Sequence, residues 1–201
     1  MRESTIKRKT AETDIKLYLN LDKSDIPNAT DETFIDTGCG FLNHMLTLFA
    51  RHSGFCLRVE FSGDTDVDYH HTVEDIGICL GLALKEALGD MAGITRYGYA
   101  VIPMDEALVL TSVDISGRSY LSCKLEIPTQ KVGDFDTELC EEFMAALARS
   151  AGLTLHIRQL DGRSSHHIME CTFKCLAKSL KTAVSIDPKA MGAVPSTKGV
   201  I

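Results

Sequence analysis

The sequence predicts an α+β fold built from two copies of one unit, and three observations support this prediction. The motif His-His-x-x-Glu occurs twice, at His70–Glu74 and at His166–Glu170. Ala50–Phe55 has a close counterpart in Ala148–Leu153. Segments typical of strands and helices follow the order strand-strand-helix-strand-helix in both halves. We therefore expect internally duplicated β-β-α-β-α halves, with the helices packed between the sheets so that both apolar stripes are buried.

The match between the halves continues along the helix that follows each motif. Its members in the first half are Cys79, Leu80, Leu84, Lys85 and Ala87, and in the second half Cys175, Leu176, Leu180, Lys181 and Ala183. We accordingly predict half-repeats at 1–92 and 93–186. The remaining tail, 187–201, contains Pro188 and Pro195 and is expected to be irregular.

In the first half, apolar residues that alternate with polar ones predict strands, and apolar residues at helical spacing predict helices. The charged start, Met1–Thr10, has no apolar stretch of the kind found in a secretory signal. The expected elements are a strand at Glu12–Leu21, a loop at 22–30, a strand at Glu32–Asp36, a helix at Phe41–His52, a strand at Phe55–Phe61 and a helix at His70–Leu88.

The second half shows the same two patterns. Gly117 separates two of its strands, and Gly152 is the expected end of its first helix. The expected elements are strands at Arg96–Met104, Glu106–Ile115 and Ser119–Ile127, a helix at Phe135–Ser150, a strand at Leu153–Leu160 and a helix at His166–Val184.

Composition excludes several classes of function. The chain of 201 residues has a formal net charge of −7, which argues against a nucleic-acid-binding protein with a basic footprint. No apolar stretch is long enough to predict a membrane-spanning helix. The seven cysteines are odd in number and contain no Cys-x-x-Cys pair. They are therefore expected to be reduced core thiols of a cytoplasmic protein.

The duplicated motif predicts a metal centre. On a helix the first His and the Glu are i and i+4 and share a face, while the second His is rotated by about 100°. Imidazole and carboxylate donors together suit Mn²⁺, Fe²⁺, Co²⁺, Ni²⁺ or Zn²⁺. With His44 and His156 upstream of the motifs, we expect two four-ligand sets, namely His70, Glu74, His167 and His156 for one ion and His166, Glu170, His71 and His44 for the other.

Five segments together resemble the imidazoleglycerol-phosphate dehydratase family, and the resemblance covers nearly the whole chain. They are Gly40–Leu46, Asp68–Asp75, Asp114–Arg118, Ser165–Glu170 and Pro195–Gly199. The resemblance implies a ribosomal protein S5 domain 2-like fold, two Mn²⁺ ions per active site, and a shell of 24 subunits with sites between neighbours. We expect a single-function form, because the 201 residues leave no room for the extra phosphatase domain of bifunctional members.

The implied reaction is the loss of water from imidazole glycerol phosphate, which gives imidazole acetol phosphate in histidine biosynthesis. In the family the substrate ring is held between the metals as an imidazolate, which expels the neighbouring hydroxyl before a base removes the proton. The resemblance implies Glu12, His71 and His167 as catalytic residues. The substrate-binding residues that it implies are Glu12, His44, His52, His70, Glu74, Arg96, Arg118, Ser196 and Lys198.

Two other interpretations stay open at this point. A two-metal phosphohydrolase also combines carboxylates, histidines and phosphate-binding arginines, but it usually needs more Asp ligands than this chain offers. A metal-storage or assembly protein would use the same ligands without turnover. Without the resemblance, Arg96 and Arg118 would be read as surface ion-pair residues and Glu12 as the first residue of a strand.

Overall fold

The chain folds into two similar halves in a computed structural model that describes residues 1–22, 33–190 and 192–199. The elements of the first half are β1 (Glu3–Lys9), β2 (Thr13–Asn20), β3 (Phe34–Asp36), α1 (Gly40–Ser53), β4 (Cys56–Gly63) and α2 (His70–Leu88). Those of the second half are β5 (Tyr97–Met104), β6 (Ala107–Ile115), β7 (Tyr120–Lys124), β8 (Lys131–Val132), β9 (Phe135–Asp136), α3 (Leu139–Ala151), β10 (Leu153–Asp161) and α4 (Ser165–Val184).

Each half forms a four-stranded sheet with the same topology. The strand order is β1-β2-β4-β3 in the first half and β5-β6-β10-β7 in the second. In each sheet two neighbouring pairs are antiparallel, and the last pair, β3 with β4 or β7 with β10, is parallel. This repetition confirms the predicted α+β duplication. A small antiparallel ribbon, β8 with β9, is inserted in the second half.

The helices lie between the two sheets, as expected. Helix α2 packs on β1 and β2, and α4 packs on β5 and β6, while α2 contacts α3 and α1 contacts α4 across the middle. Alternate strand residues fill the core, including Leu17 and Leu19 of β2 and Leu155 and Ile157 of β10. Burial of these side chains from both sheets stabilises the two halves as one structure.

Two glycines of α2 allow it to approach α3 closely. A Cβ atom built on Gly77 would lie 2.8 Å from the Ala146 Cβ, and one on Gly81 would lie 2.7 Å from the Ser150 Cβ. Larger residues would push the helices apart. The packing at these two glycines fixes the position of α2, and with it the first His-His-x-x-Glu motif, relative to the second half.

One strand of the first sheet is not predicted by the sequence. Strand β1 falls in the charged segment Met1–Thr10, where no element is expected, so that each half begins with three strands rather than the two of the expected β-β-α-β-α unit. Its residues alternate exposed and buried, with Ser4 and Ile6 facing inward and Lys7 outward. Because Lys and Arg occupy many of its positions, the alternation is weak in the sequence.

Two boundaries in the second half were placed wrongly. The strand predicted to run to Ile127 ends at Lys124. The helix predicted from Phe135 begins at Leu139 instead, because Phe135–Asp136 pairs with β8 across a turn in which Gly133 has φ 63°. The predicted loop at 22–30 lies outside the described residues, apart from Asp22, and so does Glu32 of the predicted second strand.

Among the described residues, no helix is both long and apolar enough to cross a membrane. The seven cysteines are free thiols, and all but Cys123 are buried. Burial raises the pKa of Cys79 to about 12 and that of Cys171 to about 11. These thiols are therefore protonated core residues rather than nucleophiles.

Candidate active site

The first group of convergent ligands joins α1 to the start of α4. His44 Nε2 lies 3.3 Å from Glu170 Oε2, and His166 Nε2 lies 3.1 Å from the same oxygen. The three ligand atoms lie within 4.8 Å of one another. His166 and Glu170 share a face because they are i and i+4, and the contact between α1 and α4 brings in His44. Two imidazoles and a carboxylate that meet in this way fit a divalent transition metal.

Glu170 is ionised although it is largely buried. Burial opposes ionisation, but hydrogen bonds from Lys174, His44 and His166 outweigh it and leave the pKa of Glu170 lowered. The Lys174 Nζ lies 2.5 Å from Oε1, so the two carboxylate oxygens have separate partners. Lys174 was not selected from the sequence, where it reads as an ordinary lysine one turn after the motif.

The second group consists of His70, Glu74 and Glu142, whose ligand atoms also lie within 4.8 Å of one another. His70 and Glu74 belong to the first turns of α2, and Glu142 comes from α3, which packs against it. Arg149 donates to Glu74 Oε1 over 2.9 Å. Glu142 was not identified from the sequence. Its position in the repeat, which is equivalent to that of His44, was the available signal, because its residue type is different.

The second histidine of each motif points to a carboxylate outside these groups. His71 Nδ1 lies 2.9 Å from Asp64 Oδ2 and 3.7 Å from Glu12 Oε2. His167 Nδ1 lies 2.7 Å from Glu106 Oε2. The hydrogen bond to its carboxylate is the main cause of the raised pKa of each histidine. Within the described ranges, neither ring joins the two groups, and the structure does not assemble either predicted four-ligand set in one chain.

His156 and His52 lie elsewhere in the fold. His156 is on β10 between the buried residues Leu155 and Ile157, so it faces the side of the sheet away from the helices. Its ring centroid is 5.6 Å from that of Tyr120. Among the described residues it contacts neither ligand group. His52 lies at the end of α1, where burial and then the Lys174 and Lys178 cations lower its pKa.

Arg96 is held in place by several contacts. Its Nε lies 2.7 Å from Asp114 Oδ1 and its second terminal nitrogen 3.2 Å from Oδ2, which makes a two-point ion pair. Its backbone has φ 74°, in the left-handed region that few non-glycine residues adopt. Arg118 donates from a terminal nitrogen to the Ser116 carbonyl oxygen over 3.2 Å.

The described part of the C-terminal tail lies against Arg96. Arg96 donates to the Pro195 carbonyl oxygen over 2.8 Å, and the Gly93 amide donates to the Ala193 carbonyl oxygen over 2.9 Å. Within the tail, the Lys198 amide donates to the Ser196 hydroxyl oxygen over 3.2 Å. Arg96 is therefore adjacent to the segment that carries Ser196 and Lys198.

The chain has a duplicated α+β fold, with paired His–carboxylate groups at its helix starts. These features define a class of enzyme with candidate metal ligands in both halves. The sequence model of the imidazoleglycerol-phosphate dehydratase family matches residues 37–180. The chain belongs to this family and is a hydro-lyase of histidine biosynthesis.

Whole-chain relatives and solved structures agree with this assignment. The imidazoleglycerol-phosphate dehydratase of Nitrobacter hamburgensis is 55% identical over 199 residues, covering 99% of this chain and 98% of the relative. The crystal structure of the Staphylococcus aureus enzyme has a TM-score of 0.82 at 41% identity and covers 92% of this chain and 99% of that one. The Pyrococcus furiosus structure has a TM-score of 0.83 at 40% identity, over 98% of this chain and all of that one (100%).

Proposed function

We propose that this chain removes water from imidazole glycerol phosphate in a metal-dependent reaction and releases imidazole acetol phosphate. The observation that carries the proposal is the group formed by His44, His166 and Glu170, in which two imidazole nitrogens converge on one ionised carboxylate oxygen. The group formed by His70, Glu74 and Glu142 likewise brings three metal-compatible donors together, across α2 and α3.

We propose two Mn²⁺ ions per active site, one held by each donor set. Each group supplies three nitrogen or oxygen donors, which leaves places for further ligands around a metal that accepts six. We propose that His71 and His167 fill one place each from neighbouring copies, because their rings point away from the groups in their own chain. We further propose Glu142, rather than the predicted His156, in the set with His70 and Glu74. Bound Mn²⁺ would act as a Lewis acid towards the substrate imidazole.

Glu12 is the proposed acid–base group. Its carboxylate is 54% exposed and lies 3.7 Å from the His71 ring, so it can reach a bound molecule as well as a catalytic histidine. In the reaction the hydroxyl leaves the carbon attached to the imidazole, and a proton leaves the next carbon. Glu12 receives that proton, and the enol that results becomes the ketone. His71 and His167 are the other proposed catalytic residues.

Substrate phosphate is proposed to bind Arg96, Arg118, Ser196 and Lys198. The Arg96 guanidinium, positioned by Asp114 and adjacent to the tail, supplies fixed donors for phosphate oxygens. His44, His52, His70 and Glu74 are the proposed contacts to the rest of the substrate.

We also propose how the chain is divided, how its copies assemble and where the protein is located. We expect half-repeats at 1–92 and 93–186 with the tail 187–201 closing on the phosphate, a shell of 24 subunits, and a cytoplasmic location. Ligand groups that hold three donors in one chain, with His71 and His167 directed elsewhere, support sites shared between subunits.

Turnover of imidazole glycerol phosphate by metal-stripped protein, before and after addition of Mn²⁺, tests the proposal. Turnover that appears only with Mn²⁺ supports the reaction and its metal dependence together. Full turnover of the stripped protein would contradict the metal dependence. In a second measurement, Glu12→Gln is expected to keep Mn²⁺ but lose turnover, and loss of Mn²⁺ from this variant would show that Glu12 has another role.

A further inference from the structure

The second histidine of each motif makes the same kind of hydrogen bond. His71 Nδ1 is bound to Asp64 over 2.9 Å, and His167 Nδ1 is bound to Glu106 over 2.7 Å. An ionised carboxylate can only accept a hydrogen bond, so each Nδ1 carries the proton. In a neutral ring, Nε2 then keeps its lone pair. The same chemistry at both positions indicates a purpose shared by the two halves.

Asp64 and Glu106, which accept these two hydrogen bonds, come from different places in the repeat. Glu106 lies in the β5–β6 turn, immediately before β6, and Glu12 lies in the β1–β2 turn, immediately before β2. These positions are equivalent, yet Glu12 is 3.7 Å from its histidine, whereas Glu106 is 2.7 Å from its own. In the first half Asp64, from the loop after β4, makes the hydrogen bond in place of the turn carboxylate.

Glu106 is fixed on both oxygens. Oε2 accepts from His167, and Oε1 accepts from the Ser164 amide over 2.8 Å and the Arg163 amide over 3.4 Å. The Glu12 side chain is 54% exposed and has only the 3.7 Å approach to His71 among the described residues, whereas that of Glu106 is 26% exposed. Of these two turn carboxylates, Glu12 is therefore the one available to exchange a proton with a bound molecule.

We propose that Asp64 and Glu106 are positioning residues, which hold His71 and His167 in the tautomer that presents Nε2 to a metal. We also propose that Asp64, by bonding His71, leaves the Glu12 carboxylate available for proton transfer. This inference rests on the metal ligands of the proposed function and deepens it. Mutation of a carboxylate that orients a metal-bound histidine typically lowers metal affinity by about 10–100-fold.

The test is the affinity for Mn²⁺ of metal-stripped, assembled protein, measured by calorimetry. Asp64→Ala and Glu106→Ala are expected to weaken binding by about 10–100-fold, whereas Asp64→Asn and Glu106→Gln keep an acceptor oxygen and most of the affinity. Asp66→Ala is the matched control because it removes an exposed charge from the same loop as Asp64. Unchanged affinity in both alanine variants, or an equal loss in Asp66→Ala, overturns the positioning role.

Turnover at saturating Mn²⁺ tests the second part. Glu106→Ala is expected to regain most of its kcat once metal is saturating. Asp64→Ala is expected to stay slow, because Glu12 can then move onto the free His71 Nδ1. Full recovery of kcat in Asp64→Ala would show that Asp64 does not keep the Glu12 carboxylate available for proton transfer. If the unmodified protein binds no Mn²⁺, the metal part of the proposed function fails and this inference with it. If the unmodified protein and both alanine variants bind Mn²⁺ normally, the inference is wrong but the metal part of the proposed function stands.

Discussion

His44 on α1 and Glu142 on α3 occupy equivalent positions in the two halves, although one is an imidazole and the other a carboxylate. Each precedes an Ala-Arg pair by the same interval, His44 before Ala50-Arg51 and Glu142 before Ala148-Arg149. Each also lies beside the first His and the Glu of a motif on the helix that its own helix contacts. The repeat has therefore kept a metal-compatible donor at this position while the residue type differs.

Replacing Glu142 should remove one donor from the second group. Glu142→Ala is expected to lower the Mn²⁺ content by about one ion per chain, because His70 and Glu74 alone make a weak site. Metal analysis after dialysis measures this directly. Glu141→Ala removes the exposed neighbouring carboxylate and should leave the content unchanged. The proposed ligand set is wrong if His156→Ala loses the ion while Glu142→Ala keeps it.

Local patterns in the sequence predicted most of the fold, because helices and half-buried strands have distinct apolar periods. One exception is β1, which has many charged residues on its exposed face. Another is the ribbon of β8 and β9, whose second strand lies where the helix was expected to begin. The first His and the Glu of each motif could be paired from helical spacing alone. Glu142 could not be found in the same way, since its neighbours in the group come from another helix. His156 was selected as an imidazole in an apolar strand, but the face of a sheet on which it lies depends on the packing.

Asp75 connects α2 to the turn that carries Glu12. Its buried carboxylate accepts from the Thr13 hydroxyl over 2.5 Å and pairs with Arg8 over 2.8 Å. Asp75→Asn is expected to lower the free energy of unfolding by about 1–3 kcal/mol, because the substitution leaves a partly buried arginine without its counter-charge. Urea unfolding of metal-stripped protein at a fixed protein concentration measures the loss.

A matched control for Asp75 is available on the surface. Asp14 pairs with Lys9 over 2.6 Å, but both side chains are more than half exposed. Asp14→Asn should leave the urea midpoint unchanged, because water and salt screen such pairs. An equal shift in the two variants would mean that burial of Asp75 does not matter. Because Thr13 follows Glu12, Asp75→Asn should also reduce kcat, while Asp14→Asn should not.

The close approach of α2 and α3 predicts sensitivity to one added methyl group. In Gly81→Ala the new Cβ would lie 2.8 Å from the Leu147 carbonyl oxygen, which is backbone and cannot rotate away. We expect a loss of about 1–3 kcal/mol of stability, measured by thermal unfolding. Gly40→Ala is the control because a Cβ there meets nothing within 4 Å. Equal melting temperatures for the two variants would contradict the close packing.

His52 should make stability depend on pH. Burial, and then the charges of Lys174 and Lys178, lower its pKa, so the folded chain favours the neutral ring while the unfolded chain takes up a proton near pH 6.5. Its contribution to stability is therefore complete above about pH 6.5 and is lost as the pH falls towards the lowered folded-state pKa. His52→Gln, which stays neutral, is expected to flatten the fall in stability of metal-stripped protein between about pH 7 and 5.

Urea midpoints across this range measure the slope, and measurements at pH 8, where both side chains are neutral, provide the baseline. Parallel curves for the variant and the unmodified chain would show that the two lysines and the burial do not disfavour the charged ring.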